Sequence, residues 1–140
     1  MLSEPVLIDA SAFVASFNPA EQAHQDCIRQ FQLLPVGKSY TCWPVVTEAS
    51  YLARKFPDKL HEFLDAIGYG DFPLLDLTEF DLSGIQGILR RYSDQQVDLA
   101  DACLVHLAMR ERINTIFTLD RRHFNVYRGF GGKAFRLLPA

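Results

Sequence analysis

The stretch PVLIDASAFVASFNP, residues Pro5 to Pro19, contains one charged residue. Val6, Leu7 and Ile8 form a short apolar run, rich in β-branched side chains, that reads as a strand buried on both faces. Asp9 stands where that strand stops. An ionised carboxylate at the edge of a hydrophobic core is unfavourable unless it is hydrogen-bonded, paired or bound to a metal, so Asp9 needs a partner from elsewhere in the chain.

Outward from this stretch, SAFVASF reads as a short helix. PAEQAHQDCIRQFQLL reads as an amphipathic one, with Pro19 in its first turn and Ala23, Cys27, Phe31 and Leu34 at helical spacing. VGK breaks the pattern, SYTCW is a second strand, and Pro44 opens the helix PVVTEASYLARKF. The helix PDKLHEFLDAIG runs from Pro57 to Gly68, FPLLDL is a third strand, and TEFDLSGIQGILRRY is a helix with Thr78 and Asp81 as caps. VDLADACLVHLAMRER, apolar on nearly every side, is a central helix; NTIFTLD and KAFRLLP supply the last strands. Strands alternating with one or two helices call for a parallel sheet with helices on both faces. Ligands of such sheets sit beyond the carboxyl ends of the strands. Asp9 follows VLI, and Asp120 follows TIF after Thr118 and Leu119, so both acids fall at the same rim. No repeat, linker or low-complexity segment divides the chain, and residues 1–140 are expected to form a single domain.

The composition suits this reading. The 140 residues are 49% hydrophobic and 22% charged, an ordinary globular balance with room for a sizeable core. No apolar run approaches the roughly 18 to 20 residues of a membrane span, and MLSEPVLID lacks the pattern of a signal peptide, so a cytoplasmic location without membrane contact is expected. Cys27, Cys42 and Cys103 are odd in number, widely spaced and set among apolar neighbours, which suits reduced core thiols. A net charge of −3 gives no overall attraction for nucleic acid. Arg54-Lys55, Arg90-Arg91, Arg110 with Arg112, and Arg121-Arg122 form a phosphate-binding face only if they converge; separately they are solvated surface.

Two further acids sit in unusual surroundings. Glu48 lies inside the apolar helix PVVTEASYL, and Asp101, one turn after Asp98, opens the central helix DLADACLVHLA. Each has a structural alternative: Asp98 as a helix cap with Asp101 favoured by the helix dipole, Glu48 as a surface residue, Asp9 and Asp120 as caps of the helices that follow them. Taken together, two acids at the carboxyl rim and two near the starts of helices packed against it form a cluster. Unit charges about 4 Å apart at an effective dielectric near 20 repel by roughly 4 kcal/mol, so such a cluster takes up a cation or protons. Oxygen-only ligands point to Mg²⁺ or Mn²⁺, and Mg²⁺ readily bridges to phosphates, which makes phosphodiester hydrolysis the natural chemistry.

VLIDASAFVA, WPVVTEASYLARKF, VDLADACLVHLA and TIFTLDRRHF, in this order across nearly the whole chain, resemble the four acidic motifs of PIN-domain ribonucleases, and among these the toxins of VapBC-type toxin–antitoxin pairs. The resemblance implies a three-layer α/β/α sandwich around a mostly parallel sheet of four to five strands. It implies Asp9, Glu48, Asp101 and Asp120 as catalytic, metal-holding acids, Asp98 as an auxiliary acid, and Ser11 and Thr118 as hydroxyls that hold the site. It further implies Mg²⁺ or Mn²⁺ as cofactor, RNA as substrate, a homodimer, and a small VapB-like antitoxin whose C-terminal segment covers the acidic groove.

The expected activity is metal-dependent hydrolysis of single-stranded or loop RNA. The alternatives are a non-toxin PIN nuclease of RNA maturation, a catalytically poor PIN-fold module that binds RNA or protein, and a phosphoacceptor receiver domain, against which the lack of a matching lysine after a late strand argues. Of the histidines, His24 and His61 fall on outer helix faces, His106 reads as a hydrogen-bonded core residue, and His123 as a loop residue beside Phe124. Phe13, Phe17, Phe31, Leu34 and Tyr51 are either core or lining of a groove or dimer face.

Overall fold

The computed structural model describes residues 3–140. Four strands, β1 (Val6–Ile8), β2 (Ser39–Tyr40), β3 (Thr115–Phe117) and β4 (Arg136–Leu138), form an all-parallel sheet in the order β2-β1-β3-β4. In the centre, Val6, Leu7 and Ile8 lie opposite Thr115, Ile116 and Phe117. Successive strand residues point to opposite faces, yet Val6, Leu7, Ile8, Ile116 and Phe117 are all 0% exposed. Both faces of the central pair are therefore covered, as the uninterrupted apolar runs require.

The covering comes from α1 (Ala10–Phe17), α2 (His24–Gln32), α3 (Trp43–Leu52), α4 (Pro57–Tyr69), α5 (Leu82–Arg91), α6 (Leu99–Glu111) and the single-turn α7 (Arg121–Phe124). Helix α6 is the central one: Ala100, Ala102, Cys103, Leu104, Val105, Leu107 and Ala108 are all buried, and it packs against α3 and α5. The helix α5 begins from a one-turn 3₁₀ segment closed by a capping box, with the Thr78 hydroxyl and the Asp81 carboxylate each accepting from the other's end of the turn. Cys27, Cys42 and Cys103 are free and buried. Burial pushes the Cys42 thiol up to about 12, so it packs as a neutral group. No helix among the described residues is long and apolar enough to cross a membrane.

Several elements differ from the sequence reading. FPLLDL does not form a ladder: Leu74 makes one isolated bridge to Thr41, with Thr41 donating to the Pro73 carbonyl at 3.2 Å and Leu75 donating back at 2.9 Å. Pro73 has no N–H to extend the pairing, and SYTCW likewise ends as a strand at Tyr40 because Trp43 already begins α3. Helix α2 starts at His24 rather than near Pro19, since the Asn18 carboxamide accepts from the Ala20 N–H at 3.0 Å and holds residues 18–23 in turns. Helix α4 runs past Gly68 and closes at Gly70, which adopts φ +82° while its N–H and that of Asp71 satisfy the Ile67 and Ala66 carbonyls.

Candidate active site

Because β1 and β3 are parallel neighbours, their carboxyl ends emerge side by side. The Asp9 N–H donates to the Phe117 carbonyl at 2.9 Å, bringing the turn after β1 against the turn after β3. Asp9 is 5% exposed and caps α1. Its Oδ1 accepts from the Ala10 N–H at 2.8 Å, and its Oδ2 accepts from Thr118 Oγ1 at 2.7 Å and Ser11 Oγ at 3.0 Å. The two hydroxyls lie 3.2 Å apart and in turn accept from the Leu119 and Asp120 N–H groups at 2.9 and 3.0 Å. Ser11 and Thr118 thus tie the two strand ends to one carboxylate. Every donor to Asp9 is neutral.

Glu48 stands half-buried on α3, Asp98 caps α6 by accepting from the Asp101 N–H at 2.8 Å, and Asp101 faces the site from the first turn of α6. Asp120 caps α7. These acids are close enough to disfavour one another's charged forms. Burial, opposed by its hydrogen bonds and reinforced by the charge of Asp120, holds the Asp9 carboxyl above the usual range. Burial and then the charges of Asp98 and Asp9 push Glu48 up to about 7. Burial and then the charges of Asp9 and Asp98, with that of Asp120 a lesser contribution, push Asp101 up to about 8. Among the described residues, no lysine or arginine makes a hydrogen bond or ion pair with Asp9, Glu48 or Asp101.

The acids share the rim without closing into a cage. Among the described residues, no three His, Cys, Asp or Glu side chains stand together at the spacing that holds a metal ion. Asp98 and Asp120 are turned toward their own donors, the Asp101 N–H and the His123 N–H and ring. That arrangement is the one repulsion favours among ionised carboxylates. The donor set itself, carboxylate oxygens flanked by hydroxyls, fits a hard divalent cation such as Mg²⁺ or Mn²⁺.

Two residues at this site were not visible as such in the sequence. Tyr127, 0% exposed, donates its hydroxyl to Asp101 Oδ2 at 3.0 Å. His123, read as a loop residue, lies in α7 with its Nδ1 2.9 Å from Asp120 Oδ2 and its ring stacked on Tyr127. The other histidines lie away from the acids. His24 binds the Ala15 carbonyl through Nδ1 at 2.8 Å, pinning α2 to α1 instead of facing outward, because the start of α2 lies against the end of α1. His61 is exposed, and His106 is a half-buried partner of Asp81. The basic side chains meet local partners, and Arg91 and Arg110 line one cavity together. Arg54 lies over Tyr51, Arg110 binds Asp81, Arg112 lies over Phe130, and Arg121 donates to the Pro139 carbonyl. Of the apolar candidates, Phe13 and Phe17 are core, Phe31 and Leu34 pack partly buried against it, and Tyr51 is exposed.

An all-parallel sheet with helices on both faces, and with Asp9 and Asp120 in the adjoining turns after its two central strands, defines an α/β fold with acidic side chains at its carboxyl rim. The PIN domain model matches residues 6–129, and the chain belongs to the PIN-domain family. It is 35% identical to Ribonuclease VapC26 of Mycobacterium tuberculosis over 139 residues, spanning 96% of this chain and all of that one. Among solved structures, M. tuberculosis VapC20, a sarcin-ricin loop cleaving toxin, superposes with a TM-score of 0.73 at 17% identity over 83% of this chain and 90% of that one. VapBC2 from Rickettsia felis, bound to a DNA fragment from its promoter, gives 0.65 at 12% identity over 94% and 97% of the two chains. FitAcB from Neisseria gonorrhoeae gives 0.57 at 15% over 83% and 88%.

Proposed function

We propose that this chain is a divalent-metal-dependent endoribonuclease that cleaves single-stranded or loop regions of RNA, and that it is the toxin of a type II toxin–antitoxin pair working in the cytoplasm. One observation carries the chemistry: Asp9 lies buried at the end of β1 beside the turn that carries Asp120, with only neutral donors among its hydrogen bonds, and its charge helps push Glu48 and Asp101 upward. Relatedness to Ribonuclease VapC26 over nearly the full chain supports RNA as the substrate.

Asp9, Asp101, Asp120 and Glu48 are the residues that would hold Mg²⁺ or Mn²⁺, with Asp98 adding charge from the helix start. A bound divalent ion supplies an acidified water and charge neutralisation at the scissile phosphate. Ser11 and Thr118 keep Asp9 oriented at the strand end, and the buried wall behind it excludes bulk water from one side. The side chains orient and neutralise; none of them is placed as a nucleophile.

Regulation follows the same chemistry. A small VapB-like antitoxin, presenting a basic side chain to the carboxylates, would supply the missing positive charge. A homodimer is supported by the exposed Trp43, Tyr51 and Leu52 of α3 and by Leu99 of the neighbouring α6; sedimentation at micromolar concentration is expected to give a dimer, and a monomer would exclude it. The test of the activity is incubation of the purified protein with a panel of structured RNAs. Cleavage within loops with Mn²⁺ and none in EDTA is expected; equal cleavage in EDTA overturns the metal-dependent reading.

A further inference from the structure

Behind the acidic rim lies a second layer that the four motifs do not include. Tyr127 donates to Asp101 Oδ2 at 3.0 Å, and His123 Nδ1 lies 3.0 and 2.9 Å from the two Asp120 oxygens. The two rings stack, with centroids 6.3 Å apart and planes inclined by 27°. One acid from α6 and one from the turn after β3 are therefore joined through a contiguous pair of rings. The Tyr127 ring is fixed by its neighbours. Phe124 and Tyr92 meet Tyr127 edge-on with centroids at 5.1 and 5.0 Å, and the Tyr92 hydroxyl accepts from the Arg128 N–H at 2.9 Å. Phe124 and Tyr127 are fully buried and Tyr92 nearly so.

We infer that the His123–Tyr127 pair is a brace of positioning residues that fixes the orientations of Asp101 and Asp120 relative to each other at the rim, where a divalent cation would bind. The inference rests on the reading of the rim as a cation site and adds to it the groups that orient two of its ligands. Three features support it. Tyr127 engages one Asp101 oxygen, and among the described residues Oδ1 has no hydrogen-bond donor, so one oxygen is left to face the rim. The contacts join the two acids whose backbones come from different elements and whose relative orientation the sheet does not determine. The Tyr127 half of the brace is itself locked by packing, which is the property that makes a supporting hydrogen bond effective in tuning a metal ligand. Loss of such support typically lowers metal affinity by about 10- to 100-fold.

The experiment measures Mn²⁺ affinity by electron paramagnetic resonance for the intact chain and for Tyr127→Phe, His123→Ala and His123→Asn, alongside melting temperatures in EDTA. Asn retains a donor at the position of Nδ1, so it separates hydrogen bonding from ring packing. Expected are tight binding by the intact chain, weakening of about tenfold or more in Tyr127→Phe and His123→Ala, and substantial recovery in His123→Asn. Unchanged Mn²⁺ affinity in Tyr127→Phe and His123→Ala, with only lower melting temperatures, overturns the brace and leaves the cation site standing. Absence of rim binding by the intact chain, with Asp9→Asn indistinguishable from it, overturns the cation site and the brace together.

Discussion

Helix α6 adjoins two carboxylate sites, and they are opposites. Near its middle, Asp81 accepts from Arg110 at 3.0 Å and from the Thr78 N–H at 2.9 Å, and pairs with His106 Nε2 at 2.8 Å. These partners, His106 foremost, hold its carboxyl below the usual range. At the start of the same helix, Asp101 has the Tyr127 hydroxyl and three other acids, and is pushed up to about 8. Both sites have their hydrogen bonds made; no buried polar side-chain atom is left without a partner among the described residues. The difference is charge. Asp81 has the Arg110 guanidinium beside it and serves the joint between α5 and α6, whereas Asp9 and Asp101 have neutral donors and neighbouring acids. A hydrogen bond satisfies geometry without supplying a counter-charge, and a site that lacks one is poised for a ligand.

The contrast breaks most visibly under substitution. Asp101→Asn removes a rim charge while keeping its shape, and is expected to lower RNA cleavage by at least about a hundredfold, since metal stabilisation of a developing anion is worth several kcal/mol; single-turnover assays with a saturating loop substrate measure it. Asp81→Ala is expected to do the reverse. It strips His106, Arg110 and the capping box of their acceptor, lowering stability by about 1–3 kcal/mol in denaturant titration, while cleavage at permissive temperature persists. Loss of cleavage in a folded Asp81→Ala would erase the distinction between the clusters.

The pH dependence sharpens it. Asp81 is depressed in the folded state, so its contribution is present above the ordinary carboxylate value near about 4 and is lost as pH falls through its lower folded value. The rim acids have the opposite sign. With folded values of about 7 for Glu48 and about 8 for Asp101, the native state holds protons that the unfolded chain releases near about pH 4. The metal-free protein should therefore lose stability as pH rises from about 4 toward 8. Melting curves in EDTA between pH 5 and 9 should show this slope, and saturating Mg²⁺ should flatten it. Asp98 gives the smallest effect and separates cap from charge. Asp98→Asn keeps a good cap and should leave metal-free stability equal or slightly higher, whereas Asp98→Ala loses the cap at about 1 kcal/mol.

Much of the rim was legible because charge is conspicuous in apolar surroundings. Asp9 after Val-Leu-Ile, Glu48 within Val-Val-Thr-Glu-Ala, and Asp101 at the head of a helix apolar on nearly every side each violate the local pattern, and parallel strand order then brings Asp9 and Asp120 to one edge. What was illegible depends on contacts between distant positions. Tyr127 looks like one more aromatic after Phe124, and only the packed structure carries its hydroxyl to Asp101, 26 residues earlier. The bond between His123 and Asp120 is three residues long, yet it needs the helical turn α7, and the sequence reading placed a loop there. FPLLDL has the composition of a strand and lacks only the N–H that Pro73 cannot give.

Asp9 caps α1 whether or not a metal binds, so the most direct test that the rim is also a cation site is the melting temperature of Asp9→Asn against the unaltered chain, each in EDTA and in Mn²⁺. In EDTA, Asp9→Asn is expected to melt at or above the unaltered chain, because Asn can still cap the helix and repulsion from Asp120, Glu48 and Asp101 is relieved. Mn²⁺ is expected to raise the melting temperature of the unaltered chain much more than that of the variant, and the variant is expected not to cleave RNA. An Asp9→Asn protein that melts lower in EDTA, gains as much from Mn²⁺, and still cleaves RNA would leave Asp9 a structural cap alone and rule out the cation site.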